Sequence, residues 1–591
     1  MLLSLTAGAF VENVRRLVRL SYYIIYNKVY FCKKQQLMKR LICFAHIMLL
    51  LTVAVAKAPF RPIHNDTFWN TVDGKPIYSQ GGGIFRFVDA ATGQERYYWY
   101  GVRYREAALY RQAPLKDLFP DNHFEAVTCY TSDNLVDWTE AGDVLTAAEV
   151  ENHAAPTWVG RLGVAYIAEK GLYALFVQHG AGVLIATADR PTGPFRWYRH
   201  KDMTSLIGTP NTGDQTVFTD EDTKRSYLIY SYGRGRNRAY VSEIGVVGDS
   251  IDLVDCTQVY AGEGREGNCM FKYQGRYYLC ASNLYGWNAS LAYYLVADDI
   301  RGPYLPQNSM LVMEGCEADY AHVTQTGFFV TVRGTEQETV VYCGDRWSDF
   351  ANNGHGYNQW VPLSFKDSHP VFNSLSSWEL DAQTGRWRVG ADNNYILNGS
   401  FEADRRIIPN PVKPRQDFLR GWKTTVISGH QVDVDNPQSP RLNDVTKAED
   451  RADVIGSHCL NISDSIPFER WVTQQVTSTP SVPLPSGRYV LRCKVRGGRQ
   501  FSQLDMFVKA DGKTYTQPIA PNSRWTTIEM SDIPILDGQA EVGFHVKGSA
   551  RAWCLIDDVE LRSIQMSHHD LGTLSMTAQT DECTWTLTEK K

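Results

Sequence analysis

Five short apolar-aromatic segments recur through the middle of the chain, each preceded by a turn. They are Tyr97-Tyr98-Trp99-Tyr100-Gly101, Leu172-Tyr173-Ala174-Leu175-Phe176-Val177, Ser226-Tyr227-Leu228-Ile229-Tyr230-Ser231, Arg276-Tyr277-Tyr278-Leu279-Cys280-Ala281 and Val340-Val341-Tyr342-Cys343-Gly344, roughly 50–75 residues apart. Polar turns feeding an aromatic accompany them, as in Thr131–Trp138, Thr187–Phe195 and Ala297–Tyr304. Long amphipathic helical periodicity is nearly absent after residue 60. A small sheet of this kind has apolar faces and exposed edges. Radial stacking of copies buries those faces and leaves the inner strands lining a central channel. A tandem of sandwiches would not give five similar strands at this interval. The expectation is an all-β chain with a five-bladed β-propeller over 59–365.

Composition shifts after Phe365. Residues 366–390 read as a connector, and a second unit follows over 391–565. It opens with Asn398-Gly399-Ser400-Phe401-Glu402 and closes with Ile556-Asp557-Asp558-Val559-Glu560-Leu561. Between them, runs such as Tyr489–Val495 alternate with period two, which predicts a jelly-roll β-sandwich. The opening and closing segments resemble those of galactose-binding-like carbohydrate modules. Trp422 and Trp471 are each either a sugar platform or a core residue. Residues 566–591 are a tail without an assigned fold.

The N-terminus reads as targeting. Met38-Lys39-Arg40 is a basic start, Leu41–Ala54 is an apolar run short for a bilayer, and Ala54-Val55-Ala56 suits cleavage. Translation is expected to start at Met38, with residues 1–58 an extension plus signal peptide and the mature chain exported without a membrane span. A membrane anchor at 17–32 is the rival reading. Of 12 Cys, none falls in CxxC or metal-type spacing, and no metal site is legible. With 21% charged residues and a net charge of −5, nothing suggests capture of nucleic acid. Aromatics, at 12%, suit sugar stacking but equally β-rich cores.

Three segments place polar residues beside strands, where a channel-facing group would sit. Glu266 lies in Gly264-Arg265-Glu266-Gly267, ahead of Phe271-Lys272 and Tyr277-Tyr278; a surface Glu paired with Arg265 is the competing reading. Asp214 opens Gly213-Asp214-Gln215-Thr216-Val217-Phe218, whose following Asp220, Glu221 and Asp222 read as a solvated turn. Gln325 lies in Thr324-Gln325-Thr326, ahead of Gly344-Asp345-Arg346-Trp347, with His322 expected on the same strand face. Together with Asp73-Gly74 and Gln80-Gly81-Gly82-Gly83, these segments resemble glycoside hydrolase family 43, and in particular its exo-β-1,3-galactanase and galactosidase branch, over roughly 70–365.

That resemblance implies Glu266 as the proton donor, Asp214 as the carboxylate that tunes it, and Gln325 as the group placing the attacking water, with His322 a rival for that last role. Gln80, His322, Arg346 and Trp347 become substrate contacts. Two positions depart from the pattern. Gln80 stands where the branch has His, and Gly160-Arg161-Leu162 stands where relatives often read Glu-Arg-Pro, leaving Glu149, Glu151 or His153 to compensate. The implied activity is that of an inverting exo-glycosidase on a plant-type polysaccharide, first β-1,3-galactan. Inversion needs acid and water-positioning group about 6.5–9.5 Å apart. An arabinofuranosidase or xylosidase is the second reading, favoured if Asp66 or Asp73 lines the channel floor, and a non-catalytic glycan binder is the third. A monomer without cofactor is expected; such folds can carry a structural Ca²⁺, for which the sequence names no ligands.

Overall fold

The computed structural model describes residues 60–564 except 90–91, 113–121, 181, 287, 349–352, 404–418, 433–442, 446–457, 478–481, 483 and 521. The signal-like segment and the 566–591 tail lie outside the described residues. Strands dominate, and no helix among the described residues is long and apolar enough to cross a membrane.

Five antiparallel sheets follow one another along the chain. Their first strands are Gln80–Val88, Val159–Ile167, Thr212–Thr219, Glu266–Tyr273 and Gln325–Arg333. The five recurring sequence segments fall in the second strands: Glu95–Tyr104, Leu172–His179, Ser226–Tyr232, Arg276–Ser282 and Glu338–Ser348. Each second strand is flanked by a strand on both edges and buried on both faces. That double burial is why these segments read as continuous apolar runs rather than as alternation. Each first strand packs against the first strand of the next sheet, and Gln325–Arg333 returns to Gln80–Val88.

An aromatic cluster latches the ends of this series together. Trp99 of the first sheet lies 4.9 Å from Trp360 of the fifth and 5.2 Å from Trp138, while Trp69 lies 4.8 Å from Trp360. All but Trp69 are almost fully buried. Residues 366–390, expected as a connector, carry His369–Phe372, the last strand of the fifth sheet. They also carry Ser377–Asp381 and Arg386–Val389, which form a further sheet with Arg61–His64. The start of the described chain is thereby tied to the junction.

The C-terminal unit is sandwich-like, with two five-stranded antiparallel sheets. One contains Phe468–Thr477, Gln539–Gly548 and Phe501–Ala510; the other contains Gly487–Gly497 and Trp553–Ser563. The expected alternation holds: along Gly487–Gly497 every second residue faces a shared apolar core. The nine cysteines among the described residues are free, and eight are buried, which suits small apolar core residues.

The Trp cluster makes a direct stability claim. Trp360→Ala should cost about 3–5 kcal/mol, read as a lower denaturant midpoint with the slope unchanged.

Candidate active site

Each first strand begins with a β-bulge. Pairing with the second strand skips a residue between Gln80 and Gly83, Val159 and Leu162, Thr212 and Gln215, Glu266 and Cys269, and Thr326 and Phe328. One extra residue bends a strand and re-aims its side chains. Gly81, Arg161 and Asp214 lie inside the first three bulges, Glu266 opens the fourth, and Gln325 precedes the fifth. Glycine is obligatory at 267: its φ is +62°, and a Cβ there would stand 2.4 Å from the Thr326 carbonyl oxygen. The bulges converge on a pocket of about 250 Å³ to which all five sheets contribute, through Gln80, Arg161, Asp214, Glu266, Gln325 and Trp347 among others.

Buried Arg161 is the hub. Its Nε donates to Asp214 Oδ2 at 3.1 Å, Nη1 to Asp345 Oδ2 at 3.0 Å, and Nη2 to Gln325 Oε1 at 2.9 Å and to the Thr326 carbonyl at 3.0 Å. Gly81 N donates to the other Asp345 oxygen at 3.1 Å. Gln325 Oε1 also accepts from Trp347 Nε1 at 2.8 Å, which forces its amide nitrogen toward Glu266 Oε1 at 2.7 Å. The other Glu266 oxygen accepts from Arg236 Nη1. Gly267 N donates to Asp214 Oδ2 at 2.8 Å, so the Asp214 carboxylate is held by the residue next to Glu266.

Burial pushes the Glu266 carboxyl up to about 8, and the Asp214 negative charge adds to the effect. Arg236 and Arg161 pull the other way and lose. Arg236 is about a third exposed, at 32%, so water screens it, and Arg161 already serves two carboxylates. Asp214 is held below the usual carboxylate range, despite its own burial, by Arg236, Arg161 and the Gly267 amide. Asp345 is pushed up by burial. The result is two adjacent carboxyl groups of opposite protonation near neutral pH: Glu266 protonated, Asp214 ionised.

Of the residues singled out from sequence, Glu266, Asp214, Gln325, Gln80 and Trp347 meet in this pocket. Arg265 does not pair with Glu266; it pairs with Glu263 and covers the Tyr293 ring. Asp220 is buried rather than solvated, accepting from Tyr277 Oη at 2.6 Å and Lys272 Nζ at 3.1 Å. Gln325 does not stand apart from the acid. The 2.7 Å contact leaves no room for a water between them, and the amide nitrogen faces the Glu266 carboxyl.

His322 and Arg346 lie elsewhere. His322 belongs to no strand: Tyr320, Ala321, His322 and Val323 form a left-handed turn with φ of 51–58°, at a cost of roughly 1–2 kcal/mol per residue. That reversal of hand turns His322 to a separate cavity of about 240 Å³, with Asp66, Asp319 and Ser374. There Nε2 meets Asp66 Oδ2 at 3.1 Å and Nδ1 meets Ser374 Oγ at 2.7 Å. Burial opposes a charge on the ring, but Asp66 and Asp319 override it and raise the imidazole to about 10, so it is no base at neutral pH. Arg346 donates to Asp66 at 3.0 Å. Asp66 is therefore spent on this network, and Asp73 sits in an exposed turn on Thr71 and Lys75; neither lines the Glu266 pocket.

The Gly160 departure has a steric counterpart. A Cβ at 160 would stand 2.1 Å from the Trp158 ring, which fills that space and lines the pocket. Glu149 is spent on Arg196 and the Trp197 amide, Glu151 pairs with Arg105, and His153 stacks on Trp197; none of the three lines the pocket. Sequence reasoning missed Arg161, Arg236, Asp345 and Trp158 as site residues. One signal was available: a glycine recurs at every bulge, in Gln80-Gly81-Gly82-Gly83, Gly160-Arg161-Leu162-Gly163, Gly213-Asp214, Glu266-Gly267 and Gln325-Thr326-Gly327.

In the sandwich, Trp422 is a core residue, packed at 5.6 Å on Phe401 and 6.2 Å on Phe544. Trp471 lies on the outer sheet face, stacked at 3.8 Å on His545, in an open groove of about 600 Å³ with Thr473, Gln475, Lys509 and Glu541. Among the described residues, no group of three or more His, Cys, Asp or Glu side chains is arranged to hold a metal ion.

A pocket that keeps one carboxyl protonated beside an ionised one supplies the proton donor that cleavage of a glycosidic bond requires. The profile of glycosyl hydrolases family 43 matches residues 64–361. The chain belongs to that family and is a glycoside hydrolase. Among solved structures it is similar to the exo-β-1,3-galactanase of Phanerochaete chrysosporium in complex with β-1,3-galactotriose, at 20% identity and TM-score 0.47, covering 85% of this chain and 99% of that one. It is also similar to an exo-β-1,3-galactanase from Clostridium thermocellum, at 20% identity and TM-score 0.46, covering 84% and 100%. The TmCBM61 module in complex with β-1,4-galactotriose matches at 19% identity and TM-score 0.22, covering 29% and 98%. Among curated protein sequences, none matches the chain.

The electrostatic account has a direct test. In a carboxyl ¹³C NMR titration Glu266 should titrate near 8, and Asp214→Asn, which removes the neighbouring negative charge, should move that titration to lower pH. An unmoved titration would refute the tuning role.

Proposed function

We propose that the chain is an exported exo-glycosidase whose five sheets are the blades of a propeller, with terminal galactose of a β-1,3-galactan as its first substrate. The observation that carries the reading is the pair Glu266–Asp214 at the convergence of all five sheets. Glu266 donates its proton to the leaving oxygen, and Asp214 keeps that proton in place at neutral pH. Gln325, fixed by Arg161 and Trp347, aims the carboxyl. A compact pocket bounded by every sheet favours attack at a chain end. The galactan preference rests on the Thr324–Thr326 and Gly344–Trp347 segments, which resemble the galactanase branch, and export rests on the signal-like segment from Met38. The arabinofuranosidase reading loses its deciding feature, because neither Asp66 nor Asp73 lines the pocket. A purely binding protein has no use for a carboxyl held protonated at pH 7.

The test is sugar release from β-1,3-galactan, arabinogalactan, arabinan and xylan by wild type and Glu266→Gln. Galactose release, reduced by about 10²–10⁴-fold in the variant, is expected, with the rate falling as pH rises past about 8 and the acid deprotonates. Arabinose or xylose release would move the substrate assignment to the second reading. Binding without release from any glycan would leave a glycan-binding protein.

We further propose that the sandwich holds glycan on the groove around Trp471, where an indole lies among hydroxyl, amide and charged groups on one face. Trp471→Ala should weaken retention on immobilised galactan by ~0.5–1.5 kcal/mol, measured by affinity electrophoresis. Unchanged retention would remove the groove from consideration.

A further inference from the structure

The segment that delivers Gln325 to the pocket is gripped from two sides. Just before it runs the left-handed turn of Tyr320, Ala321, His322 and Val323, none of them glycine. A backbone of that hand persists only where its surroundings over-determine it. From the five-sheet unit, Asp319 accepts from His322 N at 3.0 Å, Ser374 and Asp66 hold the imidazole, and Thr324 Oγ1 donates to the Ala321 carbonyl at 2.6 Å.

The sandwich supplies the other side of the grip. Ala403 joins Tyr320, Val323 and Ala289 in one buried apolar cluster. The Arg420 guanidinium lies 4.3 Å from the centroid of the Tyr320 ring, a cation–π contact made where that ring is only 1% exposed. Gly421, with φ +75°, comes so close that a Cβ there would stand 3.0 Å from the Ala318 carbonyl oxygen. Between this turn and Gln325 stands only Thr324, whose amide donates to the Tyr320 carbonyl at 3.0 Å and whose carbonyl accepts from Ser290 N at 3.0 Å. Displacement of the turn is therefore passed on to Gln325 with little slack.

We propose that the sandwich is a positioning element of the catalytic pocket: Arg420 and Ala403 hold the left-handed turn at 320–323, and through it keep Gln325 against Glu266. This rests on the assignment of Glu266 as the acid. It gives the C-terminal unit a second task, distinct from any glycan it carries on the Trp471 face, and makes Arg420 and Ala403 positioning residues that never meet substrate.

The proposal is tested by Arg420→Ala, Arg420→Lys and the double variant Ala321→Gly/Arg420→Ala in the full chain. Hydrogen exchange over 318–328 is read alongside kcat and its pH profile on the best glycan of the release panel. Arg420→Ala should speed exchange in the turn and lower kcat about tenfold, with KM changed less. It should also move the alkaline limb to higher pH, because Gln325, together with Arg236 and Arg161, favours ionised Glu266 against burial and the Asp214 charge, and losing its hydrogen bond leaves the proton more firmly held. Arg420→Lys, which keeps a cation over the ring, should retain most of the rate. Ala321→Gly should restore it in the double variant, since glycine adopts positive φ without strain. Unchanged exchange with an unchanged pH profile overturns the proposal. So does a loss of rate that only tracks the folded fraction, with no restoration by glycine. A wild type that releases no sugar, while Arg420→Ala still loosens the turn, refutes the acid assignment and leaves the clamp standing.

Discussion

The pocket depends on one buried guanidinium. Arg161 reaches from the second sheet to Asp214 on the third and to Asp345, Gln325 and the Thr326 carbonyl on the fifth. An ion placed that deep costs several kcal/mol in desolvation unless every donor is used, and here the carboxylates and carbonyls around it use them. A ring of separate sheets has no hydrogen-bonded ladder between one sheet and the next. Apolar packing holds the sheets together, but packing is forgiving of small slides. Directional bonds from a single planar fork are not, so Arg161 converts the approximate convergence of the inner strands into a fixed geometry at the site.

The same charge arithmetic explains why Glu266 keeps its proton. Two arginines stand near Glu266, and a simple count would predict an ionised carboxylate. Arg161, however, is already neutralised by Asp214 and Asp345, and Arg236 is partly in water. Burial is left as the dominant influence and Asp214 as the next, both favouring the proton. Asp214 stays ionised because the charges of Arg236 and Arg161, with the hydrogen bonds from Arg161 and the Gly267 amide, outweigh its burial. The bulge at Glu266–Gly267 matters twice: it aims the carboxyl into the pocket and brings the next backbone amide onto Asp214.

Much of this was legible in the sequence, for reasons that differ by element. The recurring strands were readable because the second strand of each sheet is buried on both faces, and continuous apolar runs are hard to mistake. The alternation along Gly487–Gly497 was readable because one face of that strand is wet. Glu266 and Asp214 stood out through their glycine neighbours and the motifs around them. Arg161 did not, since an arginine inside Gly160-Arg161-Leu162 carries no periodic signal and its partners lie on other sheets. His322 was misplaced for a backbone reason: Tyr320–Val323 contains no glycine, asparagine or aspartate to announce positive φ, and only tertiary contacts impose it. That the Gln325 amide nitrogen faces Glu266 was not legible, because no spacing rule says which way an amide will face.

The Gly160 departure shows how a lost side chain can be a gained one. The related pattern has a carboxylate at that position; here the backbone comes bare and the Trp158 ring occupies the volume a side chain would need. A glycine there leaves the wall without that negative charge, in a pocket where burial and Asp214 already outweigh two arginines at Glu266. It also exchanges a hydrogen-bond acceptor for a flat apolar surface. An indole at this wall offers a flat surface for stacking but accepts no hydrogen bond. Specificity at such a wall is set by ring shape and by which face of the sugar is free of axial hydroxyls. Glu266 keeps its proton without a second anion at position 160, and Asp214 is the neighbouring charge in the pocket lining that favours that proton.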